Sequence, residues 1–186
     1  MRSLQPLACA AALAIFVAAA PNMAVAASFG DGNFESPGHP GYTTLMNGGA
    51  IGPWTVTAGS VDYGTAPAQT ACASGNCVDL NGNGPGAISQ TFSCTPRYRV
   101  DFMMSRHRML GRQAATIVAL VNNVAVPGGT FTHGPSPAPG TWVSHTFTFT
   151  STTPAVTLTF ESTTHGNPIA AGPEIDNVAV KMVSCD

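Results

Sequence analysis

Charge is scarce in this chain. Asp, Glu, Lys and Arg make up 9% of its 186 residues, against about 25% in average proteins. Long solvated helices draw on Glu, Lys and Arg for their wet faces, so the scarcity argues against a helical architecture. A basic surplus is lacking too. Seven Lys and Arg stand against nine Asp and Glu, whereas a nucleic-acid binder is normally basic; nucleic acid is not an expected partner. Beyond the first 27 residues no apolar run is long enough to cross a bilayer as a helix. Catalytic signatures are also missing: there is no Gly-x-Ser-x-Gly elbow and no His-Glu-x-x-His helix. The histidines His39, His107, His133, His145 and His165 are scattered. A glycosidase needs two facing carboxylates. Asp62, Asp79, Asp101 and Glu161 are present, but spacing alone pairs none of them. The chain reads as a non-enzyme, with a hydrolase as an alternative.

What is present begins with an export leader. Arg2 supplies a short positive region, Leu7 to Ala20 an apolar run, and Ala24-Val25-Ala26 a small-x-small cleavage site. Residues 1–27 therefore read as a signal peptide, cut after Ala26 or Ala27. The expectation is a secreted protein, periplasmic or extracellular, with no transmembrane segment and no anchoring tail after Cys185-Asp186. Residues 28–186 have the length of one domain. They carry six basic and nine acidic residues, a net charge of −3.

Cysteine usage agrees with export. Setting Cys9 aside with the leader leaves Cys72, Cys77, Cys94 and Cys185, an even count that suggests two disulfides. Cys72 and Cys77 flank the turn-forming Ala73-Ser74-Gly75-Asn76, so 72–77 and 94–185 are the favoured pairs among three possibilities. A Cys₄ zinc site fits less well, because no second close pair exists.

Strand signals recur between turns. Tyr98, Val100, Phe102 and Met104 alternate with Arg97, Arg99, Asp101 and Met103, a period-two pattern. Gln90 to Ser93, Ala115 to Val121, Trp142 to Phe149, Val156 to Phe160 and Ile175 to Val180 add further strands. Helix competes over 115–121, but Asn122-Asn123 stops it early. Many short strands with Gly, Pro and Asn punctuation predict an all-β protein, a β-sandwich or jelly roll. Asp79-Leu80-Asn81-Gly82-Asn83-Gly84 matches the opening of an EF-hand loop, but Gln90 stands where the bidentate Glu belongs. It reads as a Gly-rich turn, with Asp79 structural.

Two segments bracket the chain: Asp31-Gly32-Asn33-Phe34-Glu35-Ser36-Pro37 and Gly172-Pro173-Glu174-Ile175-Asp176-Asn177-Val178-Ala179-Val180. Each places acidic or amide oxygens beside a strand signal. First and last strands of a sandwich often lie side by side, so these oxygens could meet on one hard cation. With Ile51-Gly-Pro-Trp-Thr-Val-Thr-Ala-Gly-Ser-Val-Asp-Tyr63, Val78 to Phe92 and Tyr98 to Phe102 between them, these segments make residues 28–186 resemble the bacterial choice-of-anchor C family and, more distantly, the plant cell-wall DUF642 proteins. The resemblance implies a galactose-binding-like jelly roll, export and attachment to polysaccharide. By the same resemblance, Glu35 and Asp176 would hold a structural calcium, with backbone carbonyls near Asp31 and Gly32.

Sugars are held by aromatic faces and planar polar side chains. The candidate contacts are Asp62, Tyr63, Gln90, Arg106, His107, Trp142 and Glu161, while Trp54 reads as a core aromatic. The segment Arg97 to Arg112 holds five of the six basic residues beyond the leader, and either meets acidic polysaccharide or is a solvated strand face. The expected function is a secreted, non-catalytic carbohydrate-binding module. The alternative is a structural or matrix protein that associates with other proteins.

Overall fold

A computed structural model describes residues 28–67, 71–93, 97–166 and 168–183. The expected leader, Cys94 and Cys185 lie outside the described residues. Twelve strands form two six-stranded sheets. They are β1 (Tyr42–Met46), β2 (Ala50–Ile51), β3 (Trp54–Ala58), β4 (Ser60–Gly64), β5 (Cys77–Asp79), β6 (Ala87–Ser93), β7 (Arg97–Arg106), β8 (Ala115–Val121), β9 (Val124–His133), β10 (Val143–Thr150), β11 (Ala155–Ser162) and β12 (Pro173–Met182). Sheet A runs β1-β4-β5-β12-β7-β10 and sheet B runs β2-β3-β6-β11-β8-β9. This is the expected all-β jelly-roll sandwich.

The alternations set which side of each strand is buried. Tyr98, Val100, Phe102 and Met104 point into the sandwich from β7, and Phe147 and Phe149 from β10. Val156, Leu158 and Phe160 do so from β11. Their rings interlock across the sheets. Phe102 meets Phe131 at 5.0 Å and Phe160 at 5.1 Å between centroids, within the range of favourable aromatic pairs. Asn122 and Asn123 have φ of 50° and 64°, the pair of left-handed residues that a two-residue hairpin demands. Strand β8 thus ends where the sequence stops it, and β9 folds back on it.

The N-terminal segment differs from expectation. The first strand, β1, lies at the far edge of sheet A beside β4, not beside the last. What meets β12 is the irregular stretch 29–35. Strand β12 carries a bulge between Asp176 and Ala179, with Asn177 at φ 51°. There Val178 N–H donates to Gly32 O at 2.7 Å. A Cβ on Gly32 would stand 1.8 Å from Val178 O, so only glycine lets the two backbones approach. Phe34 and Phe29 follow into the core, 5.6 and 5.7 Å from the Trp54 ring. Trp54 is fully buried, and its Nε1–H donates to Asp31 O at 3.0 Å.

Candidate functional site

The chemistry-bearing side chains concentrate on the outer face of sheet A. The register there places Thr44, Asp62, Asp79, Glu174 and Ser105 in one row across β1, β4, β5, β12 and β7. Val61, Tyr63, Val78 and Ile175 belong to the core, so alternation turns the acidic residues outward. Asp79, Glu174 and Ser105 are nevertheless buried. A loop tied by the Cys72–Cys77 disulfide lies on this sheet, and Trp142, just before β10, donates its indole N–H to Ala71 O at 3.1 Å.

Asp79 is the most confined of these acids. Its Oδ1 accepts the Asn81 N–H at 2.9 Å, as expected for a structural turn residue. Its Oδ2 is buried without a hydrogen bond among the described residues, as is Ser105 Oγ. Burial, and then the charges of Glu174 and Asp62, hold the Asp79 carboxyl well above the usual range. His107 faces it: Nδ1 accepts the Met109 N–H, and Nε2 stands 4.0 Å from Asp79 Oδ2. Burial and the nearby Arg108 charge lower the His107 pKa, so this ring favours the neutral form and does not neutralise the row. Asn81 anchors the opposite loop by donating to the carbonyls of Thr164, Ile169 and Ala171. That role carried no sequence signal, because its partners lie more than 80 residues away.

The bracketing acids meet on the disulfide-tied loop. Glu35 accepts from Asn76 N at 2.9 Å and Asn76 Nδ2 at 3.1 Å. Asp176 accepts from Ser74 N at 2.9 Å and from its neighbour Asn177 N at 2.6 Å. Burial pushes the Asp176 carboxyl up to about 6 against those amides, with the Glu35 charge adding to the rise. Gly75 sits against Glu35, where a Cβ would lie 2.1 Å from Oε1. Two neighbouring carboxylates suit a hard cation. The carbonyls expected to complete the shell are already engaged. Asp31 O accepts from Trp54 Nε1 and Phe34 N, and Gly32 O from Val178 N. Asp31 Oδ2 remains buried without a hydrogen bond among the described residues. Among the described residues no three His, Cys, Asp or Glu side chains converge as a metal site. Any calcium here would rest on Glu35, Asp176 and further oxygens of the chain, where it would supply cross-linking charge.

Four of the expected sugar contacts are built into the fold instead. Tyr63 is buried, and its OH donates to Phe34 O while accepting from Gly38 N, both at 2.9 Å. Gln90 is buried and clamps Gly30 through both its backbone groups, at 2.8 and 2.9 Å. Arg106 is buried with its guanidinium on the carbonyls of Gly111, Gln113 and Pro135. His107 caps the short 3₁₀ turn Arg108–Leu110. Tyr63 and Gln90 looked available for a ligand because their backbone partners are remote in sequence, whereas Arg106 and His107 bond mainly to the turn that follows them. Trp142 and Glu161 are half-buried on other parts of the surface.

Asp62 remains accessible, half-buried and accepting from Thr44 Oγ at 2.5 Å. Burial raises its pKa. Beside it stands a residue the sequence reading passed over. Tyr42 is 52% exposed and, among the Phe, Trp and Tyr of the described residues, the one that is exposed. Tyr42 opposes Gly64 and Thr44 opposes Asp62, so the ring and the carboxylate are diagonal neighbours on one face, within reach of long side chains. Met46, 57% exposed, continues the strip. The alternation of Tyr42, Thr44 and Met46 with half-buried Thr43 and Leu45 was the available signal.

Comparison with known proteins bears on the whole chain. The family model described as "Protein of unknown function (DUF642)" matches residues 27–181. Halomucin of Haloquadratum walsbyi is 30% identical over 165 residues, 86% of this chain, which spans only 2% of halomucin's length. Among solved structures, a family 35 carbohydrate-binding module from Paenibacillus barcinonensis superposes with a TM-score of 0.50 at 19% identity. The match covers 76% of this chain and 99% of the module. A cyclase from Fischerella sp. TAU gives a TM-score of 0.51 at 14% identity, covering 84% and 96%. The fold is thus that of carbohydrate-binding modules, and it also carries an enzyme, so architecture alone does not choose between the two.

Proposed function

The chain belongs to the DUF642 family, and on that premise we propose that it is a secreted, non-catalytic carbohydrate-binding protein of extracellular or cell-wall polysaccharide. Its contact patch is Tyr42 with Asp62 and Thr44. The observation that carries this reading is the solvent-turned Tyr42 ring beside a planar carboxylate. An aromatic face packs on the C–H face of a sugar ring, and a carboxylate accepts from its hydroxyls. The Cys72–Cys77 bridge and the leader-like N-terminus support export. The burial of Asp79 and Glu174 supports a binding role over hydrolysis, because a glycosidase must present both carboxylates to substrate. Calcium at Glu35 and Asp176 would fasten the disulfide-tied loop to the sheet and leave the patch to bind sugar.

The test is a glycan and polysaccharide screen with calcium or chelator, at low and moderate salt. Salt-resistant binding to a defined sugar, weakened about tenfold by Tyr42→Ala, is expected; tenfold corresponds to about 1.4 kcal/mol. Failure to bind any glycan would favour the structural or matrix protein.

A further inference from the structure

A groove lies far from Tyr42, at the opposite edge of sheet A. It occupies about 730 Å³ where β10, the edge of sheet A, runs beside β9, the edge of sheet B. Its apolar lining includes the exposed Val124, Ala125 and Pro127 over the buried Val126 and Phe149, and its polar groups include Asn122, Thr148 and Thr150. Among the described residues no carboxylate lines it, and Arg97 is its one charged side chain. Arg97 is exposed and forms no ion pair among the described residues.

The charge around Arg97 has the same sign. The register sets Arg97 opposite Thr150, and Arg99 between Thr148 and Lys181. Arg99 and Lys181 share a single carboxylate, Asp101, at 2.8 and 3.4 Å. Among the described residues this end of sheet A therefore holds three cations against one anion, although the chain beyond its leader is net negative. Asp62, Asp79, Glu174 and Asp176 lie elsewhere on the same face, around β4, β5 and β12. The basic segment seen in the sequence is thus divided. Arg106 is consumed by the fold, while Arg97 and Arg99 join Lys181 beside the groove.

We propose that the β9–β10 groove is a second binding site, for an anionic saccharide whose carboxylate or sulfate pairs with Arg97. Alternating apolar and hydroxyl surface suits sugar rings, which offer C–H patches and hydroxyl edges by turns. A guanidinium in a groove without carboxylates selects a chain that carries negative charge. With Tyr42 at one edge and this groove at the other, one molecule would hold two polysaccharide segments. The inference does not rest on the reading of Tyr42, because the two sites share no residue.

The experiment is calorimetric titration of the protein with polygalacturonate, its fully methyl-esterified form and dextran sulfate. Polygalacturonate is expected to bind at least about tenfold more tightly than the ester, with affinity falling as salt rises. Arg97→Gln should remove that preference, Arg97→Lys should restore part of it, and Tyr42→Ala should leave it unchanged. Tighter binding of dextran sulfate than of polygalacturonate, lost with Arg97→Gln, would keep the site and name sulfate as the preferred anion. Equal affinity for polygalacturonate and its ester overturns the proposal. So does an equal loss in Arg112→Gln, which removes an exposed cation outside the groove and would mean non-specific attraction. Loss of neutral-glycan binding in Tyr42→Ala with the anionic preference intact would separate this site from the first.

Discussion

Gly32 and Asp79 show how single residues carry this fold. At Gly32 the backbone meets the β12 bulge with no room for a side chain. Gly32→Ala places a methyl against Val178 O, and neither backbone can give way cheaply. A loss of at least about 2 kcal/mol is expected, in the range of steric defects in cores, read as a lower urea midpoint. Asp79 makes a pH prediction. Its folded pKa is raised by burial, Glu174 and Asp62, whereas in the unfolded chain an aspartate titrates near 3.9. The folded state therefore holds a proton that the unfolded state has released. The stability tied to that proton is full below about pH 3.9 and is lost as pH climbs through the raised pKa. Asp79→Asn keeps an acceptor for Asn81 N–H and cannot ionise. Its thermal midpoint should decline less between pH 4 and pH 9 than that of the native protein, and parallel declines would contradict the assignment.

At the scale of elements, the long strands were legible and the short ones were not. Strands β7, β8, β10, β11 and β12 announce themselves by alternating or β-branched runs. Their burial follows that pattern because a pleated strand has a period of two. Strands β2 and β5 have two and three residues, too few to display a period. The bulge in β12 was hidden as well, since Asn177 satisfies its left-handed backbone without a Gly or Pro to mark it. The surroundings of several sugar-contact candidates were hidden for a related reason. Tyr63, Gln90 and Arg106 are polar residues whose partners are backbone groups brought near only by folding. The disulfide-tied loop is where sequence and structure agree most closely. Its Cys72–Cys77 bridge forms as expected, and Glu35 and Asp176 hold Ser74 and Asn76 within it. Replacing both cysteines with serine should cost about 2 kcal/mol by loop-closure entropy. Denaturation with and without reductant checks this, and an unchanged midpoint would contradict it.

For the whole molecule, the bracketing segments and the composition pointed to an exported sandwich, and to the acids that meet across it. They did not reveal Tyr42, because solvent exposure of a strand residue depends on which neighbours cover its sheet. Two expectations remain to be measured at this scale. Val183 N–H donates to Arg97 O, which carries the C-terminal strand to the start of β7, two residues short of Cys185 and three beyond Cys94. Intact mass of the exported protein with and without reduction and alkylation should therefore report two disulfides, and free Cys94 and Cys185 would contradict the pairing. Calcium should raise the melting temperature of the native protein but not of Glu35→Ala or Asp176→Ala. Equal rises in all three would exclude those carboxylates as ligands.

Carbohydrate recognition at the Tyr42 edge is tested most directly by affinity electrophoresis of the native protein and Tyr42→Ala through gels containing a panel of neutral polysaccharides. Retardation of the native protein in at least one gel, largely abolished in Tyr42→Ala while its melting temperature is unchanged, is the predicted result. Equal mobility of the two proteins in every gel would contradict it.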